Sequence, residues 1–132
     1  MRQHIVIREI DRPRSGGIND ELRWLCDSLG LSSGRDIENM SFKIMHKLLE
    51  EFKRDDIVGT ERIAKALRVD SPRVNHHIRN FMEIGVVFRE KRKVALRGGS
   101  LSAAIEELKR DSEKMFDKFL ETAKKIDEKM RL

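Results

Sequence analysis

Apolar residues recur along this chain in two rhythms, and the changes between them mark its elements. From Asp36 onward, Ile37, Met40, Ile44, Leu48 and Phe52 fall at helical spacing, and Met45 and Leu49 widen the stripe. This predicts a helix beginning near residue 36. Thr60 stands ahead of Ile63, Ala64 and Leu67 and predicts a short capped helix. A tight turn follows, and Ser71-Pro72 opens a second helix that Gly85 closes. Within that helix Val74, His77, Ile78, Phe81 and Met82 share one face, which should turn to the core. Val86-Val87-Phe88 and Val94-Ala95-Leu96 then read as two strands joined by the basic tip Arg89-Glu90-Lys91-Arg92-Lys93, with Ile57-Val58 as a short strand beside them.

On either side of this stretch the pattern is simpler. Residues 4–10 (HIVIREI) read as a short strand, and Asp11-Arg12-Pro13 and Ser15-Gly16-Gly17 end it. Asn19 is placed to cap a helix running to Leu29, with Leu22, Leu25 and Cys26 on one side and Gly30 as its stop. Residues 31–34 read as a linker. Beyond the hairpin, Gly98-Gly99 breaks the chain and Ser100 can cap a final helix, roughly 45 Å long at about 1.5 Å per residue. Its stripe is Leu101, Ile105, Leu108, Met115, Phe119 and Ile126, interrupted at Ser112 and Thr122, with Phe116, Leu120 and Ala123 flanking it.

A helix-turn-helix followed directly by a β-hairpin is a winged helix. The expected fold is therefore mainly α with a small β-wing, divided into an extension over 1–35, a winged-helix domain over 36–99 and a long dimerisation helix over 100–132. A domain this small cannot cover the whole final helix. Its stripe, from Leu101 and Ile105 through Leu108 and Met115 to Phe119 and Ile126, therefore calls for a second copy of the chain. The competing arrangement folds that helix back over the first one.

Charge sharpens the picture. Residues 57–99 hold ten Lys/Arg against four Asp/Glu, whereas residues 1–56 sum to −1 and residues 100–132 to zero. The whole excess of +5 thus lies in the middle segment. A concentrated basic face is the footprint of a nucleic-acid binder, because phosphate neutralisation releases counterions. The second helix offers Arg73, Asn75, His76, Arg79 and Asn80 opposite its apolar face. Arginine and asparagine suit base edges, and Ser71 at the helix N-terminus suits a phosphate. Lys91, Arg92 and Lys93 in the wing suit the backbone, with Arg89 and Arg97 flanking the groove. Each has an ordinary alternative: Arg79 can pair with Glu83 one turn on, and lysine-rich tips also serve solubility.

Composition narrows the classes further. No apolar run approaches the ~18 residues of a membrane span, and the opening residues do not form a secretion signal. Cys26 is the sole cysteine, so neither an internal disulfide nor a thiol-rich metal site is available. The expectation is a soluble cytoplasmic protein with no cofactor and no metal. Charged residues make up 39% of the chain, with one Gln and four Asn, which leans towards a thermophilic source. Glycine-rich phosphate loops, H-E-x-x-H and nucleophile elbows are absent, so an enzyme is not expected.

Val74-Asn75-His76-His77-Ile78-Arg79 followed by Gly85-Val86-Val87 resembles the recognition-helix signature of ArsR-type winged-helix regulators. There a V-S-H-H-L-basic run precedes G-L-V; here Asn75 replaces Ser, and Ile78 and Val86 replace Leu. The order of Asp11-Arg12-Pro13, Trp24-Leu25-Cys26-Asp27-Ser28-Leu29-Gly30-Leu31 and Gly98-Gly99-Ser100-Leu101 is similar to that of archaeal transcriptional regulators of the ArsR/MarR-like type. The resemblance implies a homodimer on double-stranded DNA, its recognition helix in the major groove. It does not carry over a metal sensor, since Cys26 is alone and His4, His46, His76 and His77 have no ligand spacing. Neither an effector nor a role for residues 1–35 follows from it. The rival reading is a winged helix that binds protein, or an architectural module of the transcription machinery without sequence readout.

Overall fold

The computed structural model describes residues 2–14, 16–32 and 38–132. Among these residues, five α-helices and a small antiparallel sheet follow one another as α1 (Ile18–Ser28), α2 (Met40–Phe52), β1 (Ile57–Val58), α3 (Thr60–Leu67), α4 (Ser71–Ile84), β2 (Val87–Glu90), β3 (Lys93–Leu96) and α5 (Leu101–Met130). The strand order is β1-β3-β2, with Ile57 opposite Ala95 and Arg89 opposite Val94. The protein is thus mainly helical, with a three-stranded sheet and a long final helix.

The core gathers the stripes that periodicity singles out. Ile44, Met45 and Leu48 of α2, Ile63 of α3, and Val74, Ile78 and Phe81 of α4 are fully buried, together with Val86 and Val94. His77 is buried and Met82 half-buried, so the inward face of α4 is the expected one. Cys26 and Leu31 extend the same cluster from the α1 side, and Ala104 and Leu108 from α5. Ser100 caps α5, its hydroxyl accepting from the Ala103 amide at 3.1 Å.

Several boundaries depart from the sequence reading. Residues 4–10 form no strand; they run extended across the ends of two helices. The His4 amide donates to the Glu83 carbonyl and the Arg8 amide to the Ser28 carbonyl, each at 2.8 Å. The last carbonyls of a helix lack partners within it, and here a passing strap supplies them. The strap crosses α1 at Gly30 and α4 at Gly85, both at positive φ (+67° and +104°). A Cβ on Gly30 would lie 2.9 Å from the Val6 Cβ, and one on Gly85 2.6 Å from the Gln3 Nε2, so both crossings require glycine.

Helix α1 begins one residue before Asn19, with Gly17 at the cap position. Helix α3 likewise has Gly59 there, and Thr60 is its first, buried residue. Helix α2 starts at Met40 rather than near residue 36, and the residue ahead of it, Asn39, is left-handed (φ 53°) and so not part of the helix. Ile37, the 35/36 division, Ser15 and part of the 31–34 linker lie outside the described residues.

The hairpin is tighter than expected. Only Lys91 and Arg92 form the turn, both at positive φ (50° and 70°), while Arg89, Glu90 and Lys93 belong to the strands. Two left-handed residues in succession make the turn whose twist matches that of antiparallel strands.

Candidate nucleic-acid interface

Because the inward face of α4 is used up by the core, its remaining side chains must face outward or towards neighbouring segments. His76 and Arg79 are exposed, and among the described residues no ion pair joins Arg79 to Glu83. The His76 ring stands edge-on to buried His77, with centroids 5.4 Å apart. Arg73 is exposed but engaged, its Nη2 lying 3.0 Å from the Glu38 carboxylate. Ser71 and Asn75 are half-buried at the first turns, and the Asn75 Oδ1 is buried without a hydrogen-bond partner. Asn80 separates from this group: its amide donates to the Gly30 and Leu31 carbonyls at 3.4 and 3.3 Å, holding α4 to the end of α1.

In the hairpin, Lys91 and Arg92 occupy the exposed turn and Lys93 starts β3. Lys93 shares a recess with Asp55, Asp56, Arg62 and Glu90. The Asp55 carboxyl is held below the usual range by a hydrogen bond from Arg62, and the nearby positive charges of Lys93 and Arg54 push it the same way. Arg62 bridges Asp55 at 2.9 Å and Glu51 at 3.0 Å. An acidic flank therefore borders the basic hairpin, which charge counting by segment does not reveal. The expected pairing of Ile57-Val58 with the hairpin was the one available signal, since it brings Asp55 and Asp56 alongside.

Arg97 is engaged within the chain. It forms a two-toothed ion pair with Asp111 of α5, and its Nη2 also lies 3.3 Å from Glu107. Gln3 completes the network, its Nε2 donating to the Ile84 carbonyl at 2.9 Å and to Asp111 Oδ2 at 2.8 Å. Arg97 holds the Asp111 carboxyl below the usual range, with Gln3 assisting.

The apolar stripe of α5 divides in two. Leu108 is buried in the chain's own core, and Leu101 and Ile105 are half-buried against it. Met115 is half-buried. Farther out, Phe119 and Ile126 are 61% and 52% exposed, and so are Phe116 (65%) and Leu120 (56%) from the flanking stripe. The Phe116 and Phe119 rings meet edge to face at 5.7 Å. The outer half of α5 thus exposes its apolar side chains, whereas Leu108 is buried within the chain and Leu101 and Ile105 are half-buried beside it.

Among the described residues no helix is long and apolar enough to cross a membrane. The chain matches no protein-family model, no curated protein and no solved structure.

Proposed function

We propose that this chain is a winged-helix transcriptional regulator of the ArsR/MarR-like type that binds double-stranded DNA as a homodimer. Helix α4 enters the major groove and the Lys91-Arg92 turn lies on the backbone. The observation that carries the reading is the division of α4: Val74, His77, Ile78 and Phe81 are buried, while Arg73, His76 and Arg79 remain outside. An α-helix with one face locked into a core and a polar, cationic face free is what a major groove accepts. The order α2-β1-α3-α4-β2-β3 and the strand order β1-β3-β2 support it. A groove-binding face built for protein would carry apolar anchors there instead.

Dimerisation through Met115, Phe119 and Ile126, with Phe116 and Leu120 beside them, would cover the free face of α5. Two α4 helices then read half-sites about one helical turn apart. The reading is of a binding protein rather than an enzyme, with Cys26 packed as a small apolar residue.

The test is selection of random duplex DNA by the purified chain at several salt concentrations. Enrichment of a two-fold symmetric site is expected. Salt-sensitive binding without enrichment would replace the reading with an architectural role. Absence of binding even at low salt would replace it with a protein partner.

A further inference from the structure

A groove of about 850 Å³ opens between the segment ahead of α1, α1 itself, α2 and the first residue of α5. Its volume falls in the range, about 300–1,000 Å³, of sites that take small molecules. Leu22, Leu25, Leu49 and Leu101 supply apolar surface, and Trp24 stands beside them. The indole is fixed rather than loose, since its Nε1 donates to the Ile10 carbonyl at 2.8 Å and the Arg12 guanidinium lies 6.0 Å from the ring centre.

The charges around the groove are unequal in their availability. Of the two carboxylates, Glu50 is engaged by His46 at 2.8 Å and by Lys47 at 3.8 Å, which leaves Glu21. Against it stand Arg12, Arg14 and Lys53, none of them in an ion pair among the described residues. An apolar floor with a cationic rim complements a molecule with an apolar body and one negative end.

We propose that this groove binds a small amphipathic carboxylate, its apolar body against Leu25, Leu49 and Leu101 and its carboxylate towards Arg12 and Lys53. The site does not depend on DNA recognition, and its test contains no DNA.

Trp24 is the only tryptophan of the chain, so its emission reports this groove alone. Octanoate is titrated into the full chain, with octan-1-ol as the uncharged probe of equal length. Octanoate should produce a saturable change in Trp24 emission at a half-saturation well below that of octan-1-ol. The double variant Arg12→Ala/Lys53→Ala changes two surface side chains and should keep the fold, checked by circular dichroism. It should raise the octanoate half-saturation about three- to fivefold, the scale of a lost exposed ion pair, and leave octan-1-ol unaffected. No saturable response, equal response to the two probes, or indifference to the double variant would overturn the proposal. So would a Trp24 spectrum that shifts with protein concentration before any probe is added, because a second copy would then occupy the groove.

Discussion

Arg97 and Asp111, fourteen residues apart, clamp the end of β3 to α5 through two parallel hydrogen bonds. Each side chain is mostly shielded, at 29% and 16% exposure, so the pair is worth more than an open surface bridge. Gln3 joins the same carboxylate to the last turn of α4, tying strap, candidate recognition helix and final helix at one point.

The clamp gives stability a defined pH dependence. Asp111 in the folded chain titrates below its ordinary value of 3.8, chiefly because of Arg97. Its contribution is fully present above 3.8 and is lost as pH falls from there through the lower folded value. Thermal melts across that window should show a declining Tm for the parent chain. Asp111→Asn should lower stability near neutrality by about 1.5 kcal/mol and flatten the decline below 3.8. An unchanged acid slope would mean that other carboxylates carry it.

The Lys91-Arg92 turn trades stability for charge. Left-handed backbone at both positions suits Asn-Gly, and side chains with a Cβ are strained there. Lys91→Asn/Arg92→Gly should therefore stabilise the fold by about 1 kcal/mol in chemical denaturation. The same variant should weaken binding to all DNA sequences alike and reduce the slope of log affinity against log salt by about 2 for each copy on the DNA, about 4 for the dimer. Lys93→Ala should change that slope less, because Asp55 already faces Lys93.

How far the fold could be read in advance depended on the range of the deciding interactions. The α4 face was legible because a 3.6-residue period is a local property, and Val74, Ile78 and Phe81 declare it. The two-residue turn was not, because neither Asn nor Gly marks it. The β-branched run Ile5-Val6-Ile7 suits a strand, yet the flanking His4 and Arg8 amides bond to the carbonyls of Glu83 and Ser28, partners far along the chain. Phe119 and Leu108 belong to one unbroken stripe, and only the place where the rest of the protein stops supporting α5 separates them. Asp55 and Glu38 reach the candidate interface by the same tertiary route, which is why segment charge alone overstated its freedom.

Arg79 and Arg73 should differ in their effect on DNA binding. Arg79→Ala removes an uncommitted guanidinium and should weaken specific binding by about 1–3 kcal/mol. Arg73 must first leave Glu38, and both side chains are well exposed (43% and 58%). Glu38→Gln frees Arg73 and removes a negative charge, so it should tighten binding by up to about 1 kcal/mol, or fivefold. Competition binding at fixed salt measures both variants. Weaker binding by Glu38→Gln would mean that the ion pair positions Arg73 instead of restraining it.

The two halves of the α5 stripe should fail in different ways. Phe119 lies beyond the supported part of the helix, so Phe119→Glu costs the isolated protomer little and places a charge in the proposed dimer face. Light scattering should find a monomer, with a melting curve that no longer depends on concentration. Leu108 packs beside Ala104 in the protomer's own core, and Leu108→Ala should cost about 2–5 kcal/mol whatever the oligomeric state. A dimer that survives Phe119→Glu would move the interface off the outer half of α5. A chain unfolded by Phe119→Glu would instead show that association is what holds the outer helix together, a result that Phe116→Ser, which adds no charge, should reproduce more weakly.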